Sequence, residues 1–385
     1  MSTTVSIVSI SSFSPLGSTP NEVWGNYLKE TTLIQDIQLG AKTVPAVALN
    51  EQQKQAVNSI IESDARYNNL DNSVLYALLA SRTALEESGW NQKDVFGINI
   101  GSSRGATDLF EKHHSEFLET GKTAVQASPA TTLGNISSWV AQDLKSTGPE
   151  ISHSITCSTA LHALLNGVAW LRAGMADKFL VGGSESPLTP FTIAQMQAMK
   201  IYSSFGTEYP CRAFDLDKKV NTMVLGEGAA SACLELGKVP NALAYIEGIG
   251  YATETLKHSV SISDDAECMQ KSMQMALKDT PLDEIDVIVM HAPGTIKGDL
   301  SEYNAIQKVF GNKLPLLTTN KWKIGHTFGS SGLLSLEFAV LMLQHNQFIG
   351  VPFVTSNRTT NKPLQKILIN AVGFGGNAVS IVISK

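Results

Sequence analysis

The sequence predicts an α/β protein organised in two halves. Short runs of β-branched residues alternate along the chain with longer segments of helical periodicity. Residues 5–10 are followed by a helical pattern near residues 21–28, and the helical pattern at residues 73–88 is followed by a run at residues 96–100. A turn at residues 237–241 contains glycine and proline and is the best internal boundary.

This boundary divides the chain into an N-terminal half, residues 1–240, and a C-terminal half, residues 241–385. A strand predicted at residues 244–250 opens the second half. No long linker or low-complexity stretch interrupts either half. We therefore expect two halves that pack together in one globular protein.

A strand, a loop and a helix recur in both halves. In the first, a strand predicted at residues 151–156 runs into Cys157, and the following helix repeats leucine and valine at helical spacing. In the second, a strand at residues 314–318 precedes a loop with Lys321 and His326, and a helix at residues 333–343 is apolar nearly all round. The layout suggests a duplication, although residue-level similarity is slight.

Composition and charge exclude several classes of protein. The chain has 385 residues, 43% hydrophobic and 17% charged, which is enough to bury a large core. A net charge of −6, without any run of Lys or Arg, argues against nucleic acid or an anionic membrane as the main partner. No signal sequence is recognisable, and the apolar segment 333–343 is too short to span a bilayer. We expect a soluble, cytoplasmic protein.

Cys157 is the candidate nucleophile. The four cysteines lie far apart without a CxxC pair, which predicts neither a zinc site nor a disulfide framework. For a single buried cysteine, the ordinary interpretation is a small apolar core residue. Cys157, however, opens a helix, where backbone N–H groups and the helix dipole favour a thiolate. His162 lies about 140° further round that helix, so its side chain points elsewhere.

His291 and His326 are the candidate acid–base groups. His291 ends a strand predicted at residues 286–291, and His326 follows Gly325 in a loop. Taken singly, each is better explained as a hydrogen-bonded structural histidine, but both lie beside glycines where side chains face a pocket. Neither has the spacing of a metal ligand, and the His113–His114 pair lies in a polar, solvated helix. No metal site is predicted.

A glycine-rich segment at residues 370–377 lies between two predicted strands, residues 367–371 and 378–383. It could be no more than a hairpin turn. Its glycines would also allow backbone N–H groups to reach a substrate oxygen.

Further motifs become specific because of their order along the chain: Ser14–Gly17 with Trp24, Gly148–Pro149 before Thr156–Ser158, Gly182–Glu185, Arg212–Asp215, Gly226–Gly228, His291–Thr295 with Gly298–Asp299, and Lys321 with Gly325–His326. In this order they resemble the β-ketoacyl-acyl-carrier-protein synthase (ketosynthase) branch of the thiolase-like superfamily. The resemblance covers essentially the whole chain.

The resemblance implies a thiolase-like fold, which is a duplicated five-layer α/β/α/β/α sandwich. It implies a dimer, either of identical chains or with a second ketosynthase-like subunit. No cofactor would be bound permanently, because the substrate is carried on the 4′-phosphopantetheine of an acyl carrier protein.

The implied reaction is a decarboxylative condensation in fatty acid, polyketide or aryl-polyene biosynthesis. Cys157 would take an acyl group from the carrier thioester, with the backbone N–H groups of Cys157 and Phe374 stabilising the oxyanion. His291 and His326 would then act on the malonyl extender, which loses CO₂ and attacks the acyl-cysteine.

The resemblance assigns further roles to residues around these three. Lys321 would set the local charge, and Phe374 with Gly375 would gate the acyl pocket. Thr295 and Gly373 would contact the substrate. The carrier protein would dock on Arg66 and Arg212, the remaining basic candidates.

The stretch Lys218–Asn221 departs from the family pattern before Gly226, within a slightly longer loop, and three further departures occur near the residues named above. Ala292 and Pro293 replace the Gly and Thr that usually follow the first histidine, a Thr is missing before Asn377, and Ser335 replaces a Glu. Together with the short chain, they suggest a specialised pathway such as that of a polyketide or polyene pigment.

Two other classes remain open. A non-catalytic partner of the chain-length-factor kind would share the fold but normally lacks the nucleophile, so Cys157 argues against it. A thiolase would need a second cysteine near the C-terminal glycine loop, and none follows Cys268.

Overall fold

A computed structural model describes the chain except for residues 1–3, 92, 134, 205–206, 256–261 and 355–361. The strands of the described residues are β1 (Val5–Phe13), β2 (Gln35–Leu39), β3 (Lys42–Val47), β4 (Gly97–Gly101), β5 (Glu150–Ile151), β6 (Lys178–Glu185), β7 (Leu225–Gly226), β8 (Gly228–Leu236), β9 (Ala244–Thr253), β10 (Val287–Val289), β11 (Leu316–Thr318), β12 (Lys366–Gly373) and β13 (Asn377–Ser384).

The α-helices are α1 (Pro20–Tyr27), α2 (Glu51–Ser63), α3 (Asn72–Ser88), α4 (Thr107–Thr120), α5 (Ala127–Thr131), α6 (Asn135–Leu144), α7 (Thr159–Arg172), α8 (Pro190–Ala198), α9 (Glu267–Ala276), α10 (Ile296–Phe310), α11 (Lys321–Ile324) and α12 (Ser331–His345). Short 3₁₀ helices cover Ala65–Tyr67, Leu282–Glu284 and Phe328–Ser330. Among the described residues, no helix combines the length and hydropathy that crossing a bilayer requires.

A ten-stranded sheet contains strands of both halves, in the order β11-β10-β12-β13-β9-β1-β8-β6-β4-β5. In the N-terminal half, β1 pairs antiparallel with β8, and β8 antiparallel with β6. In the C-terminal half, β9 pairs antiparallel with β13, and β13 antiparallel with β12. The remaining pairs are parallel: β6 with β4 and β4 with β5 in the first half, and β12 with β10 and β10 with β11 in the second. The same topology therefore occurs twice, and the duplication that the sequence layout suggested is present in the fold.

The helices form three layers around this sheet. Helices α7 and α12, which follow β5 and β11 along the chain, share one hydrophobic core with strands from both halves. Helices α3 and α6 pack on the N-terminal strands, and α9 and α10 pack on the C-terminal strands. The result is the predicted five-layer sandwich. Residues 331–343 of α12 are all buried, as its apolar sequence predicts for a central helix.

The predicted strand at residues 151–156 is wrong, because β5 ends at Ile151. The following residues bond to neighbouring loops instead of continuing a strand ladder. Ser102 donates its backbone N–H to His153 O (3.2 Å), and Ile155 donates its own to Thr159 Oγ1 (2.8 Å). This irregular segment turns sharply at Thr156, where φ is +47°.

Candidate active site

The duplicated topology brings the candidate residues together. Cys157 follows β5, His326 follows the equivalent strand β11, and His291 follows β10. These loops meet at the carboxyl ends of parallel strands, which is where α/β folds commonly place ligand sites. A cavity of about 950 Å³ lies there. It is lined by Cys157, Ile201, Asn221, Met223, Ile262, His291, Pro293, Thr295, Lys297, Gly298, His326, Phe328, Val372, Gly373, Phe374, Gly375 and Gly376.

The turn that presents Cys157 is held by local hydrogen bonds. Thr159 Oγ1 donates to Thr156 O (2.6 Å), and Ser158 Oγ donates to Ile155 O (2.9 Å). The positive φ of Thr156 is costly for a β-branched residue, so surrounding contacts must maintain it. One such contact is the hydrogen bond from Thr156 Oγ1 to Phe374 O (3.3 Å). The nucleophile turn is therefore fixed to the glycine-rich hairpin.

Gly373 makes this contact possible. A Cβ atom at residue 373 would overlap Thr156 Oγ1 and lie 3.0 Å from Ile155 O. The hairpin between β12 and β13 therefore needs glycine at this point in order to approach the turn before Cys157. The glycine-rich segment is a hairpin, as the plain interpretation held, and it also lines the cavity.

The thiolate expected at Cys157 is not favoured in this environment. Burial, the largest influence, raises the pKa of Cys157 to about 12, the carboxylate of Glu185 adds to the rise, and the ammonium of Lys321 opposes it. The position at the start of α7 does not outweigh the loss of solvation. The side chain is therefore a neutral thiol at neutral pH, and a nucleophilic reaction needs a base to take its proton.

His291 and His326 line the cavity with Cys157 and are the imidazoles available to relay that proton. Their rings lie edge to face with centroids 5.2 Å apart, and both are almost fully buried. Burial lowers the pKa of His326 to about 3 and that of His291 well below its usual range, and the positive charge of Lys321 contributes in both cases. Each imidazole is therefore neutral at pH 7 and can both donate and accept a hydrogen bond.

Two carboxylates on α10 position the loop that carries His291. Glu302 accepts hydrogen bonds from the backbone N–H groups of His291 (2.9 Å) and Ala292 (2.8 Å). Asp299 accepts one from the N–H of Gly294 (3.0 Å). Sequence reasoning missed Glu302. It lies three residues after Asp299, on the same face of α10, and this acidic pair at helical spacing was the available signal.

Lys321 is buried with neutral partners. Its ammonium donates to Asn320 Oδ1 (3.1 Å) and Ser335 Oγ (3.2 Å). Burial lowers the pKa of Lys321 to about 8, and the negative charge of Glu302 opposes the fall. The serine that departs from the family pattern therefore faces this lysine directly.

The remaining predicted residues divide between the cavity wall and the surface. Thr295 and Gly375 line the cavity, and Thr295 also caps α10 by accepting from the N–H of Gly298 (3.1 Å). Arg212 lines a neighbouring cavity of about 720 Å³, and Asn221 lines both. Arg66 pairs with Asp64 on the surface, and no described contact joins it to either cavity.

Glu185 ends the Gly182–Glu185 motif, but no role for its carboxylate was predicted from the sequence. It is fully buried, and its Oε1 accepts hydrogen bonds from the backbone N–H groups of Ser103 and Gly329 (3.1 Å). Burial raises the pKa of Glu185 to about 8. Among the residues that the structure describes, no group of three or more His, Cys, Asp or Glu side chains is arranged to hold a metal ion.

Two family profiles match the chain: "Beta-ketoacyl synthase, N-terminal domain" over residues 2–238 and "Beta-ketoacyl synthase, C-terminal domain" over residues 243–352. A curated relative, 3-oxoacyl-[acyl-carrier-protein] synthase 2 of Staphylococcus aureus (strain COL), is 26% identical over 99% of this chain and 98% of its own length.

Solved structures share the fold at lower sequence identity. The ishigamide ketosynthase/chain length factor has a TM-score of 0.85 at 18% identity, covering 100% of both chains. One chain of the complex named "AntDE:AntF (apo): type II PKS acyl-carrier protein in complex with its ketosynthase bound to the hexaketide" superposes on this chain with a TM-score of 0.85 at 19% identity. The superposition covers 100% of both chains.

Proposed function

The chain belongs to the β-ketoacyl synthase family, and we propose that it condenses an acyl group held on Cys157 with a malonyl group carried by an acyl carrier protein. The observation that carries this proposal is the meeting of Cys157, His291 and His326 in one cavity. The S. aureus relative bears the name of an enzyme of this reaction class. The pathway we propose is fatty acid, polyketide or aryl-polyene biosynthesis.

The first step transfers the acyl group. The Cys157 sulfur attacks the carbonyl of the carrier thioester, an S–C bond forms, and the bond to the carrier sulfur breaks. The thiol proton passes through a neutral imidazole to the departing pantetheine sulfur. The backbone N–H groups of Cys157 and Phe374 would stabilise the oxyanion, and the contact between Thr156 and the Phe374 carbonyl holds these two segments together.

The second step joins two carbons. Loss of CO₂ from the malonyl group leaves an electron pair that is delocalised onto its thioester oxygen, and hydrogen bonds from His291 and His326 would stabilise that charge. The α-carbon then attacks the acyl-cysteine carbonyl, and the Cys157 sulfur leaves and regains its proton. The low pKa values of both imidazoles suit this role, because neutral rings donate hydrogen bonds without binding the malonyl carboxylate as cations.

Intact-mass analysis tests the proposal. We expect the protein to gain the mass of an acyl group when incubated with a panel of acyl-carrier thioesters, and to release a β-ketoacyl carrier when malonyl carrier is added. A protein that gains no acyl mass from any member of the panel would refute the proposal.

A methyl group at residue 373 should slow acylation strongly. Gly373→Ala pushes the hairpin away from Thr156, and a displacement of about 1 Å near the reacting atoms costs on the order of a hundredfold in rate. The time course of the acyl mass gain measures this. Gly25→Ala is the matched control, because no atom lies within 4 Å of an added Cβ in α1. Equal acylation rates in the two variants would contradict the proposed role of the hairpin.

The steady-state rate of condensation should fall as the pH rises through the pKa of Lys321, about 8. The charged ammonium of Lys321 lowers the pKa of Cys157, and this effect is lost when Lys321 is deprotonated. Ser335→Glu places a carboxylate beside this ammonium and raises its pKa, so the alkaline limb should move to higher pH. Ser335→Gln adds similar bulk without charge and should leave the limb in place. Steady-state rates across pH measure this, and limbs that coincide in all three proteins would exclude Lys321.

The proposed partners are the acyl carrier protein and a second subunit, either identical or ketosynthase-like. Arg212 stands beside the cavity that shares Asn221 with the active site, so it is the stronger candidate for carrier docking, and Arg66 is the weaker. Helix α4 exposes Phe110, Phe117 and Leu118 to solvent. Large exposed apolar side chains grouped on one helix are typical of a protein interface, so α4 is the proposed place for the second subunit.

A chain-length-factor-like subunit with weak or no activity is the second candidate. The raised pKa of Cys157 favours it, as does the lack, among the described residues, of a carboxylate hydrogen-bonded to Lys321. A solved neighbour bears the name ketosynthase/chain length factor. This role predicts no acyl adduct on Cys157 but a changed product length when the chain is combined with a ketosynthase.

A further inference from the structure

A second cavity lies next to the active site. It encloses about 1240 Å³, part of which is open to solvent, and is bounded by α4, the start of α8 and the end of α5. Arg104 lines this cavity, whereas Phe328 lines the cavity of Cys157. The Arg104 guanidinium carbon lies 5.9 Å from the centre of the Phe328 ring. These two side chains therefore form the partition between the cavities.

The backbone fixes this partition. The residues next to Arg104 and Phe328, Ser103 and Gly329, both donate their N–H groups to one oxygen of Glu185. On the active-site side, Phe328 belongs to the same apolar cluster as Cys157. An acyl group attached to Cys157 would therefore pack along Phe328, and rotation of that ring would bring the far end of the group towards Arg104.

The Arg104 side chain is partly buried, and its guanidinium has few hydrogen-bond partners. Nη2 donates to the neutral amide oxygen of Gln195 (2.6 Å), and the buried Nε finds no acceptor among the described residues. Burial lowers the pKa of Arg104, and the carboxylates of Glu185 and Glu111 oppose the fall, although neither lies at ion-pair distance among the described residues. Glu185 supplies little negative charge at neutral pH, because burial raises its pKa to about 8. A partly buried arginine in this state gains from an anionic partner.

The rest of the cavity suits an elongated group with an apolar body and a polar end. Its wall combines apolar side chains, namely Phe110, Leu118 and Phe191, with the hydrogen-bonding Thr107, His114, Ser115 and Thr131. It also includes the carboxylate of Glu111, which accepts a hydrogen bond from Thr189 Oγ1 (2.6 Å). A simple alkyl end would leave Arg104 Nε unpaired. We propose that Arg104 is a specificity-determining residue that favours acyl groups with a carboxylate at the end distant from Cys157.

This inference rests on the proposed function for its biological meaning, but it can be tested without the carrier protein. Two methanethiosulfonate reagents of matched length, one with an alkyl end and one with a carboxylate end, convert the Cys157 thiol into a mixed disulfide and release methanesulfinate. Intact mass gives the two labelling rates, and glutathione gives the intrinsic ratio of the reagents. In the native chain we expect Cys157 to prefer the carboxylate reagent by about tenfold or more over that ratio.

Arg104→Met keeps the length of the side chain and removes the charge, so it should abolish the preference, whereas Arg104→Lys should retain part of it. Thermal unfolding of each variant checks that the fold is intact. An equal preference in the native chain and Arg104→Met would overturn the inference. If that equality came with loss of the dimer in Arg104→Met, the anion that Arg104 binds would be a carboxylate of the partner subunit instead.

Acyl-carrier thioesters with the same two kinds of end extend the test to the proposed reaction. Preferential loading of the carboxylate-ended acyl group, lost in Arg104→Met, supports the inference. Absence of loading from both thioesters, with the reagent preference intact, would refute the proposed function and leave the specificity of the cavity standing.

Discussion

Replacing Cys157 with alanine is expected to abolish covalent loading of the chain by acyl-carrier thioesters. Of the four cysteines, all of which lie in the described part of the chain, Cys157 alone lines the active-site cavity. A thioester exchange needs the sulfur itself, so no other group at that position can form the same adduct. Intact mass should show no acyl gain, and peptide mapping of the native chain should place the adduct on Cys157.

Cys233→Ala is the matched control for this experiment. Cys233 is fully buried in the outer core of the N-terminal half, and burial raises its pKa to about 12, as it does for Cys157. The two thiols therefore differ in position rather than in acidity. The control should load at the native rate, and an adduct on Cys211, Cys233 or Cys268 with Cys157 unmodified would remove the basis of the assignment.

Local sequence patterns were sufficient for the elements that carry the site. Helix α7, the apolar helix α12 and the loops after β10 and β11 each follow from periodicity and from neighbouring glycines. The resemblance to ketosynthases then supplied the five-layer arrangement. The repeated strand order appeared only in the sheet pairing. It shows that the loop with Cys157 and the loop with His326 occupy equivalent positions in the two halves.

Features that depend on distant contacts were not predictable. The strand expected through residue 156 fails because Thr156 is held at positive φ by contacts that include Phe374, more than two hundred residues away. The expected thiolate fails because burial of Cys157, which local sequence does not reveal, outweighs the helix terminus. Arg104 gave no signal for the same reason, since its partners are Gln195 and the ring of Phe328.

Removing either histidine is expected to separate the two half-reactions. His291→Ala and His326→Ala should each reduce the release of labelled CO₂ from malonyl carrier by about a hundredfold or more, the scale of a positioned acid–base group. Acylation of Cys157 should persist in part, because one imidazole remains to move the thiol proton and the backbone N–H groups do not depend on either ring. The two rates can be measured on the same sample, by intact mass and by trapped CO₂.

The edge-to-face contact between the rings also predicts non-additivity. The centroids are 5.2 Å apart, so both side chains can reach one thioester oxygen, and the double variant should lose little more than the worse single variant. His345→Ala is the control, because His345 stacks on Trp24 at the far end of α12 and should not affect CO₂ release. Unchanged CO₂ release in both single variants, or equal losses of acylation and decarboxylation, would mean that the histidines do not act on the extender.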